Sequence, residues 1–258
     1  MPNTLPTFLA LLTPTGNADL SKPFITLTWA QSLDAKIAGP GGARVILSGP
    51  ESMEMTHWMR TMHDAIMVGI NTILLDDPRL MIQLVSQYDP NLLPPQPLIL
   101  DPQLRFPLGA RVLLEWNSCK SDPKQLARQP WLICGDDADQ SRREILENAG
   151  ARIIPVPLDT QGRIPPNSLP GILTMLGLTS VMIEGGSRVI SSFLRAPLRD
   201  DGTSLLNSVV ITVAPMFIGQ GVGVVPLEDA DDLPTLIPSL TETMGKDAVM
   251  ICSVKPRS

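Results

Sequence analysis

Short apolar runs alternate along this chain with segments of helical length, and this alternation constrains the fold more than any other feature. The runs at residues 24–29, 65–68 and 181–183 are rich in aliphatic residues and short enough to be buried strands. The segments between them are long enough for crossover helices, which join parallel strands. The pattern therefore predicts an α/β fold with a mostly parallel central sheet flanked by helices.

The same reasoning predicts the remaining elements. Further strands are expected at residues 45–47, 98–100, 131–134, 153–156, 209–213 and 248–252. Helices are expected at residues 50–62 and 166–177, after Ser187, and from a capping box at Ser141 and Glu144 to Gly150. Residues 71–78 are expected to form a turn or one short helix, and residues 115–130 a polar excursion.

The helix predicted at residues 50–62 has two distinct faces. Met55, Trp58, Met59 and Met62 follow the helical repeat and predict a core-facing stripe. Thr56, His57 and Arg60 fall on another face by the same spacing.

Length and composition limit the architecture and the partners. The 258 residues suit one large α/β domain or two small ones, and we expect a single domain at 22–258, preceded by an irregular lead-in at 1–21 that prolines interrupt. A net charge of -6 lacks the basic footprint of a nucleic-acid-binding protein. No apolar run reaches membrane-spanning length, so no membrane partner is expected.

Cysteine and histidine usage argues against a disulfide framework or a metal centre. The three cysteines, Cys119, Cys134 and Cys252, are far apart and form no CxxC pair. Only two histidines, His57 and His63, are present, and both are expected to be structural or solvated. Reduced thiols predict a cytoplasmic protein, and no metal site is expected.

The sharpest local signal is the segment Glu184-Gly185-Gly186-Ser187-Arg188, where a predicted strand meets a predicted helix. Backbone N–H groups at a helix start favour phosphate, and glycines let the phosphate approach. A pyrophosphate would bind here, at the carboxyl end of a parallel sheet. A tight strand-to-helix turn without a ligand explains the same residues, and the segment is not a GxGxxG fingerprint.

Two further segments carry polar residues at predicted strand ends. Asp76 and Asp77, before Pro78, could bind hydroxyls or a metal, but aspartate before proline is also ordinary turn chemistry. Asp34, after the first strand, could handle protons or orient a substrate, or could be a polar loop residue.

Four stretches in order carry a family resemblance: PFITLTWAQSLDAKIA (23–38), THWMRTMHDAIMVGINTILLDDPRL (56–80), VMIEGGSRVISSFL (181–194) and VVITVAPMFIGQGVGV (209–224). The chain resembles the reductase domain of the riboflavin-biosynthesis deaminase–reductases (RibD C-terminal-domain-like), and is more similar to the stand-alone fungal and archaeal reductases. The second stretch is the most specific. Its residues Arg60, Asp64, Gly69, Thr72, Asp76, Asp77, Pro78 and Leu80 keep the family spacing.

The resemblance implies a dihydrofolate-reductase-like fold, an NADPH cofactor and a homodimer. It implies reduction of the ribosyl side chain of 2,5-diamino-6-ribosylamino-4(3H)-pyrimidinone 5′-phosphate, a phosphorylated pyrimidine, to the ribitylamino product. The cofactor residues it implies are Thr72, Asp76, Ile153, Gly185, Gly186, Ser187 and Arg188. The substrate residues are Arg60, Leu80 and Glu184, with Arg60 as partner of the 5′-phosphate, and the candidate catalytic carboxylates are Asp34 and Glu184.

Three departures from the family pattern leave alternatives open. Ala35 replaces a glycine, which implies a changed turn if that position needs a positive φ, and Gln83 replaces an arginine frequent in bacterial members. The HxE and PCxxC zinc ligands of the deaminase half do not occur, so no deamination is expected. The alternatives are a reductase of the deaminated pyrimidine, another dihydrofolate-reductase-like reductase, and a nucleotide-binding protein that has lost catalysis.

Overall fold

The computed structural model describes residues 22–89, 91–119, 126–226 and 233–255, together with Leu9 and Leu12. The strands are β1 (Phe24–Ser32), β2 (Lys36–Ala38), β3 (Ala65–Gly69), β4 (Gln96–Leu100), β5 (Trp131–Gly135), β6 (Arg152–Val156), β7 (Ser180–Glu184), β8 (Ser208–Ala214), β9 (Val222–Gly223), β10 (Leu236–Met244) and β11 (Asp247–Val254). The α-helices are α1 (Pro50–Thr61), α2 (Ile70–Asp76), α3 (Arg111–Cys119), α4 (Gln140–Asn148), α5 (Leu169–Met175) and α6 (Ser187–Leu194).

A single large sheet organises the molecule. Its strand order is β10-β11-β8-β1-β7-β3-β4-β5-β6. From β8 to β6 every neighbouring pair is parallel, whereas β11 runs antiparallel to β8 and β10 antiparallel to β11. The predicted α/β class with a mostly parallel sheet is confirmed, and the carboxyl ends of seven strands meet at one edge.

Both faces of the parallel part of this sheet are covered, which explains why its central strands appear as continuous apolar runs in the sequence. Along β3, Ala65 and Met67 contribute to one hydrophobic cluster, whereas Ile66 and Val68 contribute to another on the opposite face. The helices α5 and α6 pack against the first face. Helices α1 to α4 supply apolar residues to the second face.

Several predictions about individual elements were wrong. Residues 45–47 form no strand, and part of the expected polar excursion is the helix α3. The helix α4 is capped by Asp139, whose carboxylate accepts the backbone N–H of Ser141, so Ser141 is not its cap. The strand β10 was not predicted, because Pro238 and its polar neighbours hide the pattern.

The predicted lead-in at 1–21 lies outside the described residues except for Leu9 and Leu12. Both are fully buried in the cluster that contains Met55 and Met59 of α1. Among the described residues, no helix is both long enough and apolar enough to cross a membrane.

Candidate active site

A cleft of about 1740 Å³ opens at the carboxyl edge of the parallel strands. Its lining residues come from the ends of β1, β3, β4 and β7 and from the segments that follow these strands. In open parallel sheets ligands bind outside the carboxyl ends of the strands, where helix N-termini and loops converge. This cleft is therefore the candidate active site.

The turn from β7 to α6 forms one wall of the cleft, as its glycines predicted. A Cβ on Gly185 would lie 2.9 Å from a Val189 methyl carbon, and one on Gly69 would lie 2.8 Å from the other Val189 methyl. These two glycines are required because α6 packs closely against the ends of β7 and β3.

Gly186 differs from Gly185 because a Cβ added there would meet one neighbour, at an ordinary contact distance. It caps α6 at φ -77° and ψ 172°, and its nearest neighbour for an added Cβ is Thr72 Oγ1 at 3.8 Å. Ser187 and Arg188 follow in the first turn of α6, where backbone N–H groups lack helical partners. Gly185, Gly186, Ser187 and Arg188 all line the cleft, and the turn can hold a phosphate there.

Helix α2 lies beside this turn, since Thr72 Oγ1 would be in contact distance of a Cβ on Gly186. Thr72 and Asp76 both line the cleft, whereas Asp77 points elsewhere, to the backbone N–H and guanidinium of Arg111. Desolvation raises the pKa of Asp76 above its ordinary value, and the charge of Arg44 partly opposes this shift. The side chains of the two adjacent aspartates therefore point in different directions, and of the two only Asp76 lines the cleft.

Arg60 and Glu184 form a two-bonded ion pair on the cleft wall. Arg60 Nε lies 2.7 Å from Glu184 Oε1 and Arg60 Nη2 lies 2.8 Å from Oε2. Arg60 Nη1 also donates to the carbonyl of Met81 at 2.7 Å. An arginine has five N–H donors, so two remain for a ligand oxygen. The pair joins α1 to the end of β7 across 124 positions of sequence.

Two more residues of this wall are unusual, Leu80 in its backbone conformation and His57 in its pKa. Leu80 lines the cleft, is 2% exposed, and holds a left-handed φ of 54°, a conformation that bulky residues adopt only under tertiary constraint. His57 also lines the cleft, and burial, together with the charge of Arg60, lowers its pKa to about 4. His57 was expected to be structural or solvated, although its helical spacing from Arg60 had placed both on one face of the helix.

The charge of the cleft is opposite to that of the chain. Among the described residues, three carboxylates line it, on Asp76, Asp159 and Glu184. The described cationic side chains that line it number nine: Lys36, Arg44, Arg60, Arg79, Arg105, Arg111, Arg163, Arg188 and Arg195. Four of these arginines form ion pairs with carboxylates. The positive charge that remains on this part of a chain of net charge -6 favours an anionic ligand.

Asp34 lies outside this cleft and lines a smaller one of about 430 Å³. Its carboxylate accepts the backbone N–H groups of Ile218 and Gly219, at 3.1 and 2.7 Å, and the hydroxyl of Ser32. These hydrogen bonds lower its pKa to about 2, with the Ser32 hydroxyl as the largest cause. Asp34 thereby joins the turn after β1 to the segment after β8.

The Asp34 contact supports a small flap, the two-stranded sheet of β2 and β9. The flap residues Lys36, Ile37, Ala38, Val222 and Gly223 line the large cleft. Ala35 has a φ of 55° and donates its N–H to Ser32 O at 3.0 Å. An alanine therefore holds a left-handed conformation here, which glycine adopts at less cost.

Ile153 does not reach the cleft. It pairs with Leu132 inside the sheet and packs against the cluster under α3 and α4. The segment beyond β6 reaches the cleft instead, through Asp159, Gln161, Gly162, Arg163 and Ile164. Within the described ranges, no cluster of three or more His, Cys, Asp or Glu side chains could hold a metal ion.

Comparisons with known proteins agree with this architecture. Residues 23–250 match the family model of the RibD C-terminal domain. A Debaryomyces hansenii protein named 2,5-diamino-6-ribosylamino-4(3H)-pyrimidinone 5′-phosphate reductase is 34% identical over 213 residues, which cover 80% of this chain and 81% of that protein. A Methanothermobacter thermautotrophicus protein of the same name is 30% identical over 242 residues, covering 91% and 99%.

Solved structures extend the likeness to the whole fold. The riboflavin biosynthesis reductase of Saccharomyces cerevisiae superposes with a TM-score of 0.70 at 26% identity, covering 97% of this chain and 99% of that one. The predicted dihydrofolate-reductase-like fold is confirmed by this neighbour. The chain belongs to the RibD C-terminal domain family of riboflavin-biosynthesis reductases.

Proposed function

We propose that this chain reduces the ribosyl side chain of 2,5-diamino-6-ribosylamino-4(3H)-pyrimidinone 5′-phosphate to the ribitylamino product, with NADPH as the reductant. The enzyme class follows from its family and from the names of its fungal and archaeal relatives. The observation that carries the proposal is the cationic cleft at the carboxyl edge, with a glycine turn and a helix start at its wall.

The residues around this turn fit a dinucleotide. Gly186 has no side chain between the turn and Thr72, and the first turn of α6 offers backbone N–H groups to a pyrophosphate. Thr72 and Asp76, on the neighbouring α2, are proposed to bind the rest of the cofactor. A bound reduced nicotinamide supplies the hydride.

The preference for NADPH over NADH needs a cation for the 2′-phosphate. Arg105 is our candidate, because it lines the cleft beyond β4 and its Nη2 donates to Asn71 Oδ1 at 3.0 Å. That contact keeps the guanidinium next to α2, which carries the proposed cofactor residue Thr72. An arginine fork suits phosphate oxygens.

The substrate is proposed to lie between α1, Leu80 and Glu184. Two N–H groups of Arg60 face this space as donors for the 5′-phosphate, and Lys36 and Arg44 add positive charge from the segment between β1 and α1. The pairing with Arg60 keeps Glu184 in one orientation, ready to accept a hydroxyl of the opened ribose.

The reacting centre in this proposal is C1′ of the ring-opened imine. The hydride forms the new C–H bond at C1′, the C=N electron pair moves to nitrogen, and nitrogen takes up a proton. The proton comes from solvent water, and Glu184 is the proposed relay for it, since each of its oxygens accepts only one N–H of Arg60 and keeps a lone pair free. Asp34 is assigned to holding the flap, because its oxygens already accept two backbone N–H groups and a hydroxyl.

A homodimer and a cytoplasmic location stay predictions.

The proposal as a whole is tested by following NADPH oxidation with the ribosylaminopyrimidine phosphate before and after deamination, and with NADH and dihydrofolate as comparisons. We expect turnover of the diamino substrate with NADPH. Turnover of only the deaminated substrate, turnover of only dihydrofolate, or binding of NADPH without any turnover would each replace the proposal by one of the alternatives.

A further inference from the structure

Helix α1 carries residues of the proposed substrate site, and it packs on the sheet through an interface rich in methionine. Thr56, His57 and Arg60 face the cleft. The opposite face buries Met55, Trp58 and Met59 in a cluster that also contains Met182. Methionine side chains adapt to several arrangements, so this packing alone specifies the position of a helix poorly.

The beginning of α1 is held by a buried carboxylate from the far end of the chain. Asp247, at the start of β11, is fully buried, and its Oδ2 accepts the backbone N–H of Gly49 at 2.6 Å. The same oxygen accepts the hydroxyl of Ser52 in the first turn of α1. The contacts span 198 and 195 positions of sequence. A negative charge at a helix start is also favoured by the helix dipole.

The surrounding hairpin tip fits closely against the same turn. Gly245 has a φ of 61°, and an added Cβ there would overlap the carboxylate of Glu51. An added Cβ on Gly49 would lie 3.4 Å from both Asp247 Oδ2 and Lys246 Cε. The tip between β10 and β11 therefore contacts α1 through a directional hydrogen bond and through close steric fit.

Arg60 sits eleven positions after Gly49, about 16 Å along the helix axis. Its two bonds to Glu184, at 2.7 and 2.8 Å, tolerate little displacement of α1. A misplacement of about 1 Å at a reacting centre can cost on the order of 100-fold in rate. We propose that Asp247 is a positioning residue of the reductase site, which fixes α1 along its axis so that Arg60 meets Glu184 and the substrate.

This inference rests on the proposed function, and its test separates the two. In Asp247→Asn the size is kept but the charge is lost, so we expect the KM for the ribosylaminopyrimidine phosphate to rise about tenfold, the equivalent of about 1.4 kcal/mol. The KM for NADPH should stay unchanged, because the proposed cofactor residues lie on α2 and α6. A general loss of stability would not raise the KM for the pyrimidine while leaving the KM for NADPH unchanged.

Two controls and a second variant accompany this measurement. Glu242→Gln removes an exposed carboxylate from β10 of the same hairpin and should leave both KM values unchanged. Leu146→Val, in the core under α4, lowers stability without touching α1 and should also leave the KM ratio unchanged. Ser52→Ala removes one of the two donors, and it should raise the substrate KM less than Asp247→Asn does and add little in the double variant.

A readout without substrate is the hydrogen exchange of Arg60 Nε–H, followed by NMR. We expect faster exchange in Asp247→Asn than in the wild type and in Glu242→Gln. Unchanged exchange and an unchanged substrate KM would overturn the positioning role. Faster exchange in a protein whose wild type does not turn over the pyrimidine would support the positioning role and refute the proposed function instead.

Discussion

The two ends of the parallel strands use carboxylates in opposite ways. At the amino end, Asp64 precedes β3 and its Oδ2 accepts the N–H and hydroxyl of Thr179 and the N–H of Ser180, at 2.6 to 3.1 Å. At the carboxyl end, Glu184 closes β7 and bonds the guanidinium of Arg60 inside the cleft. Asp64 ties β3 to the start of β7, whereas Glu184 holds a cation that can still donate to a ligand.

The difference teaches that one sequence motif can serve two purposes. Arg60 and Asp64 are four positions apart, and both belong to the stretch that carries the family resemblance. Only Arg60 lines the cleft. Family spacing therefore marks residues that hold the strands together as well as residues that face the ligand.

The largest expected effect separates these two residues. Arg60→Lys keeps the charge but loses the paired bonds to Glu184, and we expect kcat/KM for the pyrimidine substrate to fall on the order of 100-fold. Asp64→Asn should lower the free energy of unfolding by about 1 kcal/mol and leave kcat/KM unchanged. Steady-state kinetics and urea unfolding of both variants check this. Loss of kcat/KM in Asp64→Asn alone would break the comparison.

Two adjacent glycines at the carboxyl end, Gly185 and Gly186, extend the comparison between a residue that supports packing and a residue that faces the ligand. Gly186→Ala places a methyl group 3.8 Å from Thr72 Oγ1, an ordinary contact distance, so we expect unchanged stability and a Kd for NADPH raised about tenfold. Gly185→Ala forces a methyl group against Val189, so we expect stability to fall by about 1–3 kcal/mol. Thermal unfolding and calorimetric titration with NADPH distinguish them. Equal affinity for NADPH in Gly186→Ala and in the wild type would contradict the proposal that a cofactor phosphate binds at this turn.

Asp34 tests whether a carboxylate at the carboxyl end can act structurally. Asp34→Asn weakens the contact with Ile218 and Gly219, and we expect a rise of roughly threefold to tenfold in substrate KM through a looser flap. The pKa near 2 is below the ordinary value of 3.8, so the ionised contact stabilises the fold above pH 3.8 and is lost as the pH falls through 2.

The pH dependence of kcat follows from the same shift. Any transition of kcat that the wild type shows between pH 5 and 8 should persist in Asp34→Asn, because the wild-type carboxylate is ionised throughout that range. A transition near pH 6 that is present in the wild type and absent in Asp34→Asn would instead identify Asp34 as a proton-transfer group.

The smallest effect concerns the backbone next to Asp34. Ala35 holds a φ of 55°, so Ala35→Gly should relieve strain and raise the free energy of unfolding by about 0.5 kcal/mol. Ala43→Gly is the matched control: Ala43 has a φ of -56°, and glycine there should lower stability. Urea unfolding of both variants measures the difference. A less stable Ala35→Gly would mean that the turn tolerates alanine without strain.

The sequence predicted well those features that adjacent residues determine. The strand, glycine turn and helix at 180–194 follow from hydrophobic pattern and helix-start chemistry, and the structure has them as β7 and α6. The predicted strand at residues 45–47 failed, because a short branched run is equally compatible with a loop, in which Leu47 is buried and Ile46 is exposed. The expected contribution of Ile153 to the cofactor site stays a prediction, though its side chain packs in the sheet.

Features that depend on distant contacts were beyond the sequence. The Arg60–Glu184 pair and the Asp247–Gly49 contact join segments more than a hundred positions apart, and no local pattern encodes them. The cationic lining of the cleft was equally hidden. Its arginines come one or two at a time from many separate segments, and the chain as a whole is acidic.

The most direct test of the central claim, hydride transfer from NADPH to C1′, is isotope transfer from NADPH that carries deuterium at both hydrogen positions of nicotinamide C4. With the diamino ribosylaminopyrimidine phosphate as substrate, the account predicts a ribitylamino product that carries one deuterium at C1′, detected by mass spectrometry and NMR, and no transfer in the absence of protein. A reduced product without deuterium, or deuterium at any other carbon, would contradict it.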